Sequence, residues 1–132
     1  IFMYNAALWT VTDTIAEKIE SFQRKLLRHT LSIKYSRVIT NIELLQITKQ
    51  TPWSAIIAKQ RMQWYGHCKR LPEDSPAKQA LAEYERQVQK PRGRPAMTWL
   101  EIVKKQIINR GLSIEEAKLL TEDRVGWRRF LN

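Results

Sequence analysis

The stretch TPWSAIIAKQRMQWYGHCKRL, residues 51–71, decides the fold class. Thr51-Pro52 puts a capping residue and an N1 proline at its head, where the missing proline N–H costs nothing because the first helical N–H groups have no intrahelical acceptor. Behind that start, Trp53, Ile56, Ile57, Gln60, Trp64, His67, Cys68 and Leu71 fall within one arc when each residue turns the chain by about 100°. The pattern predicts an amphipathic helix that ends in the loop from Leu71 to Pro76. Gly66 inside it costs about 1 kcal/mol relative to Ala, so it marks a close backbone approach or a helix end.

The helical period continues outward from this segment in both directions. Upstream, Ile15, Ile19, Phe22 and Leu26 stand at i, i+4, i+7 and i+11 and predict a helix from about Thr12 to Thr30, with Thr14-x-x-Glu17 as its capping box. Thr40-Asn41-Ile42-Glu43 repeats the signature before Leu44, Leu45 and Ile47 and predicts a short helix. Downstream, Ser75-Pro76 starts a short helix to about Glu85. Thr98-Trp99-Leu100-Glu101 opens another, expected to stop at Gly111. Ser113-Ile114-Glu115-Glu116 caps a last helical region carrying Ala117, Leu119, Leu120, Val125, Trp127 and Phe130. No strand-like alternation of useful length intervenes, while Arg86 to Ala96 is basic and punctuated by Pro and Gly. The expected fold is all-α: two small helical lobes, 1–85 and 97–132, joined by a basic Pro/Gly linker at 86–96.

Length and composition narrow the class. A chain of 132 residues with 43% hydrophobic content buries roughly two-thirds of its unfolded surface, which excludes disorder of the whole. Apolar runs such as Ala55 to Ala58 fall far short of the roughly 18 residues of a membrane-spanning helix, so no membrane partner is expected. Cys68 is the single cysteine; an intrachain disulfide and a Cys-rich zinc site are both excluded, which fits a reducing nuclear or cytoplasmic compartment. No secretory signal is read at the start, and Ile1-Phe2-Met3-Tyr4 reads as a cut from a longer polypeptide.

Catalytic constellations find little support. His29 and His67 are far apart in sequence, and the adjacent side chains of His67 and Cys68 diverge by about 100° on a helix. Cys68 reads as a small buried hydrophobe and His67 as a hydrogen-bonded residue at the core edge. Glu73-Asp74, Glu115-Glu116 and Glu122-Asp123 sit at loops or helix starts, where they complement the helix dipole. His, Cys and carboxylates do not recur at metal-ligand spacing, and the four glycines form no phosphate loop. The chain is expected to be non-enzymatic, without metal or cofactor.

Charge carries the functional signal: 23 Lys and Arg stand against 13 Asp and Glu, a net charge of +10. Residues 18–37 hold Lys18, Arg24, Lys25, Arg28, Lys34 and Arg37 against Glu20 alone. With Ile15 at zero, the first four project at about 180° to 300°, away from the apolar stripe. The 51–71 helix adds Lys59, Arg61, Lys69 and Arg70 with no acid between them, and the linker adds Arg86, Lys90, Arg92 and Arg94. Such clusters suit neutralisation of nucleic-acid phosphates. Lys90-Pro91-Arg92-Gly93-Arg94-Pro95 also has the core of an AT-hook, in which Gly permits close backbone approach and each Arg enters a narrow A·T minor groove; a basic linker with phosphate contacts is the alternative reading. Trp9, Trp53, Trp64, Trp99 and Trp127 offer rings for base stacking. Trp53, Trp64 and Trp99 lie on apolar faces and are expected as core anchors, leaving Tyr65 as the freer aromatic.

The order of motifs along the chain is Tyr4-x4-Trp9, then Leu26-Leu27-Arg28, then Thr40-Asn41-x-Glu43-Leu44. Arg61-x-x-Trp64-x-Gly66-His67-x-x-Arg70 follows, then Arg92-Gly93-Arg94-Pro95-x3-Trp99. Gly111-Leu112-Ser113-x-Glu115-Glu116-Ala117 and Asp123-Arg124-x-x-Trp127-Arg128 complete it. This order resembles the C-terminal region of non-LTR (LINE-type) retrotransposon reverse transcriptases over essentially the whole chain. The chain departs from related sequences at Asn5 and Ala7, where Gly and Glu are usual. It also lacks the paired aspartates of the family's polymerase centre and the zinc knuckle of some relatives. The resemblance implies a non-catalytic tail that grips template RNA or target DNA and packs on the upstream polymerase region of its own polypeptide. Arg61, His67, Arg70, Arg92, Arg94, Arg124 and Arg128 match the family's motif positions, with Trp64, Gly66, Trp99 and Trp127 as motif or structural residues. Asp123 and Arg124 are expected to pair. An interaction or scaffold module, or a host-repurposed DNA-binding protein with the AT-hook-like segment, are the alternatives.

Overall fold

The computed structural model describes residues 2–33, 38–86 and 97–132. Among these the chain is all-helical with no strand: a 3₁₀ turn, Ala6–Leu8, then α1 (Asp13–Thr30), α2 (Asn41–Thr48), α3 (Trp53–Arg70), α4 (Pro76–Arg86), α5 (Trp99–Asn109), α6 (Ile114–Glu122) and α7 (Arg124–Phe130). No described helix is long and apolar enough to cross a membrane.

Local chemistry sets the helix ends. Thr40, Thr98 and Ser113 each accept the backbone N–H three residues on, and Glu43, Glu101 and Glu116 each bond back to the capping N–H, so three predicted capping boxes form. Ser75 accepts the Gln79 N–H, which leaves Pro76 at N1. At the end of α5, Gly111 takes φ +85°; its N–H reaches the Ile108 carbonyl and that of Leu112 the Ile107 carbonyl, a Schellman stop. Three starts differ from expectation. Thr12 rather than Thr14 caps α1, accepting from Ile15 N–H at 3.4 Å. Pro52 is the residue before α3, its carbonyl accepting from Ile56 N–H. The last helical region breaks at Asp123, whose carboxylate accepts from Val125 N–H at 2.9 Å and starts α7, so Asp123 acts as a cap.

The boxes carry a pH dependence. Backbone and hydroxyl donors of Thr40 and Ser113 hold the Glu43 and Glu116 carboxyls below their ordinary value. A depressed folded-state pKa contributes stability above the unfolded value of roughly 4.3 and loses it as pH falls through the folded value. Thermal melts followed by helical circular dichroism are therefore expected to drop in midpoint below about pH 4, with a smaller drop in Glu43→Gln/Glu116→Gln.

The described residues form two compact units: Val11–Ile57, and a larger one made of residues up to Thr10 with Ala58–Asn132. The linker expected at 86–96 lies, from residue 87 on, outside the described residues, and the two units divide the chain within the first expected lobe. The reason is burial: one core cluster joins Met62, Tyr65, Cys68 and Leu81 to Leu100, Val103, Ile107, Ala117, Trp127 and Leu131, drawing on both expected lobes. Residues 97–132 by themselves fall below the roughly 40 residues under which a core seldom closes alone.

Within the 11–57 unit, α1 is turned from its expected orientation. Ile15, Phe22 and Leu26 remain 41–44% exposed, while Ile19 and Gln23 are buried. Gln23 decides this: its Nε2 donates to the Thr51 carbonyl and its Oε1 accepts from Trp53 N–H, both at 2.9 Å. One amide side chain thus satisfies two backbone groups at the entrance to α3. Ser54 donates to Glu20 from the same turn.

Candidate nucleic-acid interface

The helix α3 organises the larger unit, and its buried arc is rotated by roughly 100° from the sequence reading. Met62, Tyr65 and Cys68 are inside, whereas Gln60 and Trp64 are half-buried and His67 is exposed. Tyr65, expected to be the freer aromatic, is 2% exposed. Its hydroxyl meets Glu85, and its pKa is pushed up by burial first and by that carboxylate second. His67 and Cys68 consequently lie on different sides of the helix, and burial raises the thiol pKa.

Gly66 is the notch that lets this packing happen. A Cβ built there falls 2.9 Å from Cε2 of Trp127, 2.5 Å from Cδ1 and nearer still to Nε1. The indole N–H donates to the Met62 carbonyl at 3.1 Å, so the Trp127 ring lies against the α3 backbone. Trp99 is likewise a brace, donating to the Ala7 carbonyl at 2.8 Å.

Five of the proposed phosphate-binding cations bond within the protein on or near its surface. Arg24 pairs with Glu20 at 3.4 Å. Arg28 donates to the Ile39 carbonyl and Asn41 Oδ1. Lys59 donates to Asn132 Oδ1 at 2.7 Å. Lys69 pairs with Glu85 at 2.7 Å and lies over the Tyr65 ring. Arg70 donates to the Thr121 carbonyl at the end of α6, at 2.7 Å, with its pKa lowered by burial and then by nearby Arg124.

Arg61 requires a correction. It is 2% exposed, donates to the Trp9 carbonyl at 3.1 Å and leaves Nε without a partner, so it is an interior brace and not a surface cation. Burial lowers its pKa. Lys18 and Lys25 are exposed on α1, and Arg124 and Arg128 are exposed on α7. Lys90, Arg92 and Arg94 lie outside the described residues.

Two concavities open on the larger unit. A cleft of about 550 Å³ is mainly apolar, with Trp64, Cys68, Leu81, Tyr84, Met97 and Trp99 among its walls. A second groove of about 480 Å³ runs between residues 3–7 and the Gln60, Gln63, Trp64 and His67 face of α3. The groove is not legible in the sequence, because Gln60 and His67 fall on the arc that periodicity gives to the core, whereas Gln60 is half-buried and His67 exposed. The i, i+3, i+4, i+7 spacing of Gln60, Gln63, Trp64 and His67 signals a shared face but not its exposure. No group of three or more His, Cys, Asp or Glu converges to hold a metal among the described residues. No protein-family model, curated protein or solved structure matches the chain.

Proposed function

We propose that the chain is a non-catalytic nucleic-acid-binding module, the C-terminal part of a retrotransposon-type reverse transcriptase that grips template RNA or target DNA. The observation that carries this reading is the +10 charge, part of which stands on exposed side chains such as Lys18 and Lys25, seven residues apart on one face of α1. Exposed cations of this kind release counterions when they meet phosphates, which supplies sequence-independent affinity. The motif order from Tyr4 to Arg128 supports the same assignment, and the Lys90, Arg92 and Arg94 run adds phosphate contacts.

Titration of the full chain against RNA and DNA at low and moderate salt tests it. Log affinity is expected to fall linearly with log salt, and Lys18→Gln/Lys25→Gln to reduce that slope by about 2. Absence of binding to either polymer at low salt would overturn the assignment.

A second reading, an interaction module docking on its parent polymerase, is favoured by one observation. Ile15 and Leu26 on α1 are 41% exposed, and Ile42 and Ile47 on α2 are 71% and 60% exposed. Concentration-dependent association of the isolated chain, without nucleic-acid binding, would select it.

A further inference from the structure

The groove between residues 3–7 and α3 brings together groups with a shared chemistry. Gln60, Gln63, Trp64 and His67 occupy one face of α3, and Tyr4, 78% exposed, and Asn5 stand across from them. The Trp64 and His67 rings are 5.3 Å apart and form a small aromatic wall. Asn5 is held in the left-handed region at φ 54°, which turns the chain at this point and seats Tyr4 on the opposite rim. The amides of Gln60 and Gln63 each present a donor and an acceptor, and neither is bonded within the described residues. No carboxylate is among the described residues lining the groove, and the cation Lys59 is next to Gln60 in sequence.

Aromatic faces beside side-chain amides are the two elements by which proteins hold unstacked bases: stacking supplies affinity, and the amide bonds the base edge. At about 480 Å³ the groove is within the size range of sites for small planar ligands. We infer that this groove takes an unpaired nucleobase of a single-stranded nucleic acid, stacked on Tyr4 and the Trp64–His67 pair and bonded at its edge by Gln60 and Gln63. The inference rests on the nucleic-acid-binding reading and names the strand state it selects.

Fluorescence anisotropy of the full chain tests it, using short single-stranded oligoribo- and oligodeoxyribonucleotides beside a duplex of the same sequence. Tyr4→Ala/Gln63→Ala removes two exposed side chains away from the core. It is expected to lower single-strand affinity about tenfold, at unchanged salt slope and with duplex affinity intact. Gln63→Glu, which sets a carboxylate in the groove without removing volume, is expected to act in the same direction; thermal melts of both variants check that the fold is retained. A change below twofold on single strands, or equal loss on duplex, overturns the groove assignment while leaving wild-type binding standing. Absence of wild-type binding to every strand at low salt overturns both readings.

Discussion

Gly66→Ala is expected to lose about 1–3 kcal/mol of folding stability, although Ala is the better helix former by about 1 kcal/mol. The added methyl group would meet the ring of Trp127, which is 2% exposed and bonded to the Met62 carbonyl. A buried indole cannot swing aside as the end of a flexible side chain does. Overpacking costs about 1–3 kcal/mol, and losing the indole hydrogen bond adds about 1 kcal/mol, which outweighs the helix-propensity gain. Domains of this size hold only about 5–15 kcal/mol, so the shift in a urea unfolding midpoint is readily measured. In a Trp127→Leu background the clash disappears, and Gly66→Ala becomes neutral or stabilising by up to about 1 kcal/mol. A single variant that unfolds at or above the parent midpoint would contradict the contact.

Gln23→Met is expected to cost about 2 kcal/mol in the 11–57 unit. Methionine keeps the volume of the side chain but leaves the Thr51 carbonyl and Trp53 N–H without the bonds Gln23 makes at 2.9 Å. Each such group left unsatisfied in a part-buried setting costs about 1–3 kcal/mol, reduced here where water reaches it. Amide hydrogen exchange at Trp53 is the direct readout: it should speed about thirtyfold, the equivalent of about 2 kcal/mol. Unchanged protection of Trp53 would show that Gln23 does not hold the start of α3.

Helix identity was legible because it rests on neighbours in sequence. The Thr40, Thr98 and Ser113 boxes and the Gly111 stop form as read, since each involves residues within five positions of one another. Faces were less legible. The stripe Ile15, Phe22 and Leu26 has an ideal period yet stays part-exposed, because Gln23 finds two backbone partners that no periodicity reveals. In α3 the apolar and aromatic residues surround most of the helix, so period alone leaves its orientation undetermined. Gly66 was recognised as a site of close approach, but its partner, Trp127, is 61 residues away.

The candidate site was partly legible for the same reason. Charge is a property of composition, so the basic character follows from counting residues. Which cations face solvent is a matter of packing: Arg61 is drawn inside by the Trp9 carbonyl, and Arg28, Lys69 and Arg70 each brace another segment of the chain.

By itself, the sequence determined an all-helical chain, the caps that delimit most of its helices, the need for a small residue at position 66 and a strong cationic excess. Tertiary structure alone decided which face of α1 and α3 is buried, that one core joins residues from both expected lobes, and that a polar and aromatic groove opens beside Gln60 and Gln63. Capping and helix propensity act over one turn of backbone and can be read locally. Burial and partner choice depend on surfaces brought together from distant positions, and the same side chain is core or surface according to what folds against it.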